Sequence, residues 1–163
     1  MINFERDGSR FALRIAGVAV HDGHVLLHRG EDEDFWTLPG GRCEMMETSS
    51  DTLHREIAEE LGVGVSVGRL LWVVENFFNY GGMDCHELGL YYAMEFPEDY
   101  RFLSERDLFY GDEAGTPLLF RWFPLESINP ALVRPSFLGT ALHALPAMTQ
   151  RVVQRPEPAN ANI

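Results

Sequence analysis

Lysine is absent from this 163-residue chain; all 13 basic side chains are arginine. That excludes mechanisms resting on a side-chain amine, from Schiff-base chemistry to the lysine-dependent phosphate sites of P-loop ATPases and protein kinases. Cysteine is scarce. Cys43 and Cys85 are too few for a disulfide framework or a four-cysteine zinc site. No apolar run approaches the roughly 20 residues of a membrane span, and Met1 to Arg6 lacks the apolar core of a secretion signal. These absences predict a cytoplasmic location and no membrane partner. The 25 acids leave a net charge of −12, which argues against nucleic-acid backbone or anionic lipid as a partner. Phosphate chemistry stays open, because carboxylates hold the divalent metals that phosphates require.

What is present reads as one domain over residues 1–154, followed by a Pro/Asn-rich tail, 155–163, expected to be disordered. Phe11 to Val20 is rich in β-branched and apolar residues and predicts a strand. His21-Asp22-Gly23 supplies a turn, and His24 to Arg29 the returning strand of a hairpin. Thr48 to Leu61 reads as a helix, with Thr48 as N-cap, Asp51 three residues on and Gly62 at the C′ position. Val65 to Asn79 and Glu87 to Phe96 read as an antiparallel pair around Gly81-Gly82. Pro97 to Pro117 is acid-rich without a clean period and reads as a loop. Leu118 to Phe123 predicts a strand, and Pro135 to Leu145 a helix with Leu138, Leu142 and Leu145 on one face.

The helix at 48–61 carries Glu56, Glu59 and Glu60 at i, i+3 and i+4, so the three carboxylates share a face. That face lies about 105° from the apolar stripe of Leu53, Ile57 and Leu61; it flanks the buried seam instead of opposing it. Like charges so placed repel, and burial makes each harder to ionise. A divalent cation relieves both costs. An all-oxygen cluster suits magnesium or manganese better than zinc, and magnesium held by a few carboxylates plus substrate phosphates points to cleavage of a phosphate ester or anhydride by water. Arg55 can orient a carboxylate by a bidentate pair. The Gly40-Gly41 pair lets backbone come close enough for a main-chain carbonyl to join the ligands. A solvated acidic helix face is the competing reading of the glutamates alone.

The wider pattern separates them. Gly41, Glu47, Arg55, Glu56, Ile57, Glu59, Glu60, Gly62 and Val63 resemble the Nudix box at every required spacing: glycine, five residues, glutamate, seven residues, then Arg-Glu-apolar-x-Glu-Glu-x-Gly-apolar. Average residue usage makes a chance match on the order of one in ten million. Phe35-Trp36-Thr37-Leu38-Pro39-Gly40 and Arg121-Trp122-Phe123-Pro124-Leu125 are similar to the family's segments before the box and at its late strand. Met46 departs, standing where many members have glycine. The resemblance implies an α/β/α sandwich with a mixed β-sheet. It also implies a metal-dependent hydrolase of a nucleoside diphosphate linked to another moiety, with Mg2+ or Mn2+ as cofactor and a small nucleotide as partner. By position it implies Glu56, Glu59, Glu60 and the Gly41 carbonyl as metal ligands, Glu56 also as base, Glu47 outside the ligand shell and Arg55 orienting a glutamate. It further implies one more acid from a loop before the late strand, with Glu113 the first choice and Asp112, Glu105 and Asp107 its rivals. A fold retained for nucleotide binding without catalysis is the alternative function. A structural calcium site is disfavoured by the absence of the calcium-loop pattern.

Other features divide between function and packing. Arg29 can bind a substrate phosphate or stand exposed at a strand end. Phe77, Phe78 and Tyr80 can stack on a nucleobase or cover the sheet. The strand from Leu70 to Phe78 can form a homodimer edge or core. Cys43, beside the box, has no paired base in the sequence and reads as structural. Residues 31–63 hold ten acids and two bases, so most of the negative charge is concentrated at the proposed site.

Overall fold

Both faces of the second strand are apolar: Ile15 and Ala19 point one way, Ala16 and Val18 the other. Such a strand must be covered twice, and the computed structural model places a helix on each side. The structure describes residues 1–113 and 115–156, with the side chains of Asp112 and Glu113 outside the described set. Among the described residues nine strands run β1 (Asn3–Arg6), β2 (Ser9–His21), β3 (His24–Gly30), β4 (Gly40–Arg42), β5 (Ser66–Tyr80), β6 (Met83–Glu95), β7 (Phe109–Glu113), β8 (Thr116–Pro124) and β9 (Gln150–Gln154). Helix α1 (Ser49–Leu61) follows β4, and the short α2 (Leu138–Ala141) precedes β9.

The sheet is mixed, in the order β7-β8-β3-β2-β6-β5-β9, with β1 and β4 also paired to β2. The β2–β6 and β5–β9 pairs are parallel; the others are antiparallel. Strands β2 and β3 pair only next to their turn, at Val20↔Val25 and His21↔His24. Beyond that they diverge, β3 running with β8 while β2 takes β4 in register Arg14↔Arg42. The segment from Thr37 to Arg42 fills the opening: Thr37 bridges to His28 and Gly17 N–H donates to the Pro39 carbonyl. This splay brings the glycine pair under α1.

Leu53, Ile57 and Leu61 of α1 pack with Ile15, Leu26, Phe120 and Trp122 on one face. Leu138 and Leu142 pack with Val25, Leu27, Leu71 and Trp72 on the other. The result is the α/β/α arrangement that the sequence implied.

Several sequence expectations need correction. The segment 97–117 is not all loop, because Phe109–Glu113 forms an antiparallel edge strand on β8. Its signal is faint because one position is Gly111 and its main apolar anchor is Phe109, stacked on Phe120 with ring centroids 5.7 Å apart. The helix expected over 135–145 shrinks to Leu138–Ala141 within a run of turns, several closed by i→i+3 bonds, and Pro146 stops any continuation. Leu138 and Leu142 are buried as the pattern required, whereas Leu145 is exposed. Strands β1, β4 and β9 have no sequence counterpart: β1 and β9 are short and largely exposed, and β4 is glycine-rich. Of the tail expected to be disordered, residues 157–163 lie outside the described residues.

Candidate active site

Helix α1 begins where its caps dictate. Thr48 Oγ1 accepts the Asp51 N–H, and Gly62 in the left-handed region closes the helix on the Ala58 carbonyl. Its buried positions are Thr52, Leu53, Glu56, Ile57, Glu60 and Leu61. Two of the three glutamates therefore lie in the seam between helix and sheet. Glu59 points outward, its side chain 59% exposed.

Arg55 gathers the other box residues. Its Nε and Nη2 donate to the two carboxylate oxygens of Glu47 at 2.8 and 3.0 Å. Nη1 reaches Glu56 Oε1 at 2.7 Å and Glu59 Oε2 at 3.3 Å, and Nη2 also donates to the Arg42 carbonyl at 3.2 Å. One guanidinium thus ties the loop before α1 to two carboxylates on it. Glu47 receives two further bonds, from Thr52 Oγ1 at 2.8 Å and the Glu44 N–H at 3.0 Å. The Arg55 hydrogen bonds, aided by these, hold the Glu47 carboxyl down at about 2. Glu56 shifts the other way: burial raises it, and its bond to Arg55 offsets only part of that cost. Adjacent carboxylates therefore differ in kind, one firmly ionised and one that gains proton affinity.

Gly41 makes room for the raised one. A Cβ at Gly41 would overlap the Glu56 carboxylate, so the acid lies directly against main chain. Gly40, at φ 137°, would clash with the backbone of Ile15 if it carried a side chain.

Glu60 takes a separate place, one turn on. It is buried, and its Oε2 lies 3.7 Å from Nδ1 of buried His28 on β3. His28 is held neutral, pushed down to about 3 by burial and by the Arg14 charge against the opposing pull of the Leu38 carbonyl. Sequence reasoning missed His28 and Thr52. The available signal for His28 was alternation, since it shares the phase of Leu26, which faces α1.

Arg29 stands in the opposite phase. Its guanidinium donates to the Glu33 carbonyl and lies 5.2 Å over the Trp36 ring, apart from the Arg55 cluster. Glu113 closes the edge strand, and its side chain and that of Asp112 lie outside the described residues. Glu105 folds back to accept the Arg106 and Asp107 N–H groups. Phe77 stacks on His86 at 4.4 Å, while Phe78 and Tyr80 line a groove with Arg10 and Arg42. Cys43 is buried, its Sγ within hydrogen-bond distance of the Glu44 and Glu47 carbonyls.

Among the described residues no three His, Cys, Asp or Glu side chains are already gathered as a cation cage. The donor set nevertheless suits a hard divalent cation: Glu56, Glu59 and Glu60 offer only oxygen, and Glu56 sits in a backbone cradle that any side chain at Gly41 would fill. In the structure Glu56 and Glu59 share the positive charge of Arg55.

Fold and site together define a class, an α/β/α chain whose first helix presents acids behind a glycine-led loop. The chain belongs to the Nudix family: the NUDIX domain model matches residues 12–141. Over 66 residues it is 41% identical to a MutT-like protein of Streptomyces ambofaciens, covering 40% of this chain and 43% of the relative. Over 63 residues it is 38% identical to an RNA pyrophosphohydrolase of Halorhodospira halophila, covering 39% and 35% respectively. Less than half the length of either relative is spanned. Among solved structures, a MutT NUDIX hydrolase from Burkholderia pseudomallei superposes with a TM-score of 0.60 at 25% identity, over 79% of this chain and 95% of that one. An ADP-ribose pyrophosphatase from Streptococcus suis shares the fold with a TM-score of 0.60 at 14% identity, over 88% and 98%.

Proposed function

We propose that this protein is a metal-dependent pyrophosphohydrolase that cleaves a phosphoanhydride bond in a nucleoside diphosphate linked to another moiety, by attack of water at phosphorus. The observation that carries the reading is Glu56: a buried carboxylate with raised proton affinity, held by Arg55 against the bare backbone of Gly41. A general base must start ionised yet accept a proton readily, so its proton affinity is best placed nearer the working pH, and burial moves a glutamate in that direction. The names of the relatives, an RNA pyrophosphohydrolase and an ADP-ribose pyrophosphatase, support the same bond type.

Glu56, Glu59, Glu60 and the Gly41 carbonyl would hold Mg2+ or Mn2+, which when bound polarises phosphate oxygens and acidifies water. The chain's own groups do the rest. Glu56 takes the proton of the attacking water at its carboxylate. Arg55 keeps Glu56 in place, and Glu47, fixed by four donors, keeps Arg55 in place. The buried helix–sheet seam limits water around Glu56. With no lysine in the chain, charge on the substrate phosphates falls to arginine and the cation.

The test is a product-resolved screen of nucleotides, nucleotide sugars and dinucleoside polyphosphates with Mg2+ and Mn2+, comparing wild type with Glu56→Gln and Glu59→Gln. Hydrolysis by wild type with losses of at least 100-fold in both variants is expected. Wild-type turnover in both variants overturns the site. Tight nucleotide binding with no product under either metal assigns the chain to binding alone.

A further inference from the structure

Burial sorts the arginines of this lysine-free chain. Arg10, Arg55 and Arg106 are half-buried, and each has a carboxylate partner. Arg69, Arg101, Arg121, Arg134 and Arg155 have none, but they are exposed and solvated by water. Arg14, Arg29 and Arg42 differ from both groups. They are half-buried, and among the described residues none of the three makes an ion pair. Arg14 donates to the Leu38 carbonyl at 3.1 Å and Arg29 to the Glu33 carbonyl. Arg29 Nε is buried with no hydrogen-bond partner among the described residues.

The three share one face of the sheet. Arg14 has the phase of Ala16 and Val18, and Arg29 that of Val25 and Leu27, all of which pack in the core on the α2 side. Arg42 stands in register with Arg14 and so points the same way. They also follow one another along the chain's path. Arg29 lies over the Trp36 ring, Arg14 holds Leu38 two residues on, and Arg42 comes directly after Gly41. Successive strand residues face opposite sides, so Gly41 lies under Glu56 while Arg42 opens onto the other face. Glu33 and Glu87 do not neutralise the three. Glu33 accepts the Tyr80 hydroxyl and the Gly30 N–H, both at 3.2 Å, and Glu87 accepts from Asn76 at 3.5 Å.

We propose that Arg14, Arg29 and Arg42 form a subsite for a phosphate beyond the scissile linkage. The substrate is then a chain of at least three phosphates, and not a nucleotide sugar or another diphosphate with a neutral end group. The proposal rests on the reading of Glu56, Glu59 and Glu60 as the place where the linkage is cleaved. Half-buried guanidiniums without counter-ions carry a desolvation cost that an anionic ligand offsets. Their paired N–H donors match phosphate oxygens. A neutral sugar leaves that cost in place, whereas a further terminal phosphate brings up to about two more negative charges.

The test is binding of inorganic triphosphate and of pyrophosphate to the full chain in EDTA, measured by titration calorimetry. Alongside it, kcat and KM are measured with Mg2+ for a nucleoside triphosphate, a dinucleoside tetraphosphate and a nucleotide sugar. Triphosphate is expected to bind about 10-fold tighter than pyrophosphate, and about 10-fold weaker in Arg29→Gln and in Arg42→Gln, the scale of one charged hydrogen bond. KM for the nucleoside triphosphate rises in step, and Arg29→Lys recovers part of the loss. Arg10→Gln removes a charge already paired with Glu5 and should change binding by no more than about twofold. Three results overturn the proposal: a wild type that binds both anions alike or neither, folded Arg29→Gln and Arg42→Gln that bind triphosphate like wild type, or an equal loss in Arg10→Gln. A kcat/KM for the nucleotide sugar as high as for either polyphosphate does so too. Preference for a polyphosphate supports it, and the order of the two tells whether the seated phosphate is terminal or internal. The reading of the glutamates fails separately, if Glu56→Gln keeps wild-type turnover.

Discussion

A side chain at Gly41 and the carboxylate of Glu56 exclude one another: a Cβ built on Gly41 overlaps the carboxyl carbon and both oxygens of Glu56. The acid that carries the proposed chemistry therefore has its position defined by an atom that is missing. Gly41 is not in the left-handed region, so an alanine there meets no backbone penalty and acts by contact alone. Gly41→Ala is expected to keep the fold while displacing Glu56, with a loss in kcat of about 100-fold for a misplacement near 1 Å. A folded Gly41→Ala enzyme with wild-type kcat would refute the placement of Glu56.

Arg55 supports a second prediction, on stability. Lysine in its place keeps the charge but cannot span both Glu47 oxygens, Glu56 and Glu59. Arg55→Lys is expected to cost about 2 kcal/mol, the scale of lost hydrogen bonds to charged groups. That is roughly 4–8 °C in melting temperature for a chain of this size. Chemical denaturation showing no loss would mean that the cluster contributes nothing to the folded state.

The buried imidazole predicts the behaviour in acid. His28 sits at about 3 when folded against an ordinary 6.5, so below 6.5 the unfolded chain takes up a proton that the folded chain refuses. Its neutral form costs nothing above 6.5, and stability drains away as pH falls from there towards 3. Glu47, at about 2 against 4.5, works in the same sense lower down, its contribution fading as pH falls from 4.5 towards 2. Between pH 6.5 and 5, melts of His28→Phe should fall less steeply than those of wild type. Identical slopes would show that His28 does not resist protonation.

Glu56 carries the opposite sign. With its proton affinity raised by burial, the ionised form weighs against folding above its ordinary 4.5. Neutralising it in Glu56→Gln is expected to leave the metal-free melting temperature at neutral pH equal to or above that of wild type. Mn2+ at 100 times its dissociation constant should stabilise wild type by about 2.7 kcal/mol. Glu56→Gln should lose most of that increment. Calorimetry in paired buffers measures both, and an equal Mn2+ response in the two proteins would remove Glu56 from the ligand set.

The helix end of the site was legible in the sequence because it is local. Caps at Thr48 and Gly62, the glutamate spacing and Arg55 all depend on neighbours within one helix and its loop, where 3.6-residue geometry decides who meets whom. His28 was not legible because its buried surroundings include Glu60 and Phe120, which reach it only through the β3–β8 pairing and the docking of α1. The same holds for the edges of the sheet. Strands β7 and β9 are short, carry few β-branched residues or none fully buried, and exist because β8 and β5 offer them open backbone. The helix expected at 135–145 had the right apolar pattern, yet Gly139 lies so close to Pro130 that a Cβ there would come within 2.5 Å of it, and Pro146 ends the run. Packing there outweighed periodicity.

The parallel pairing of β2 with β6 bears on the order of events as the chain folds. Ile15 finds Leu90, and Val25 finds Phe123, partners roughly 75 and 100 residues away. Contacts so distant form slowly, whereas α1 needs only its own sequence. On this topology the glutamates are expected to stay hydrated early in folding and to lose water only as the sheet closes. Whatever cation they attract then acts on the finished structure and not on the barrier to reaching it. Its mark should be a longer native lifetime, with the rate of acquisition left nearly as it was.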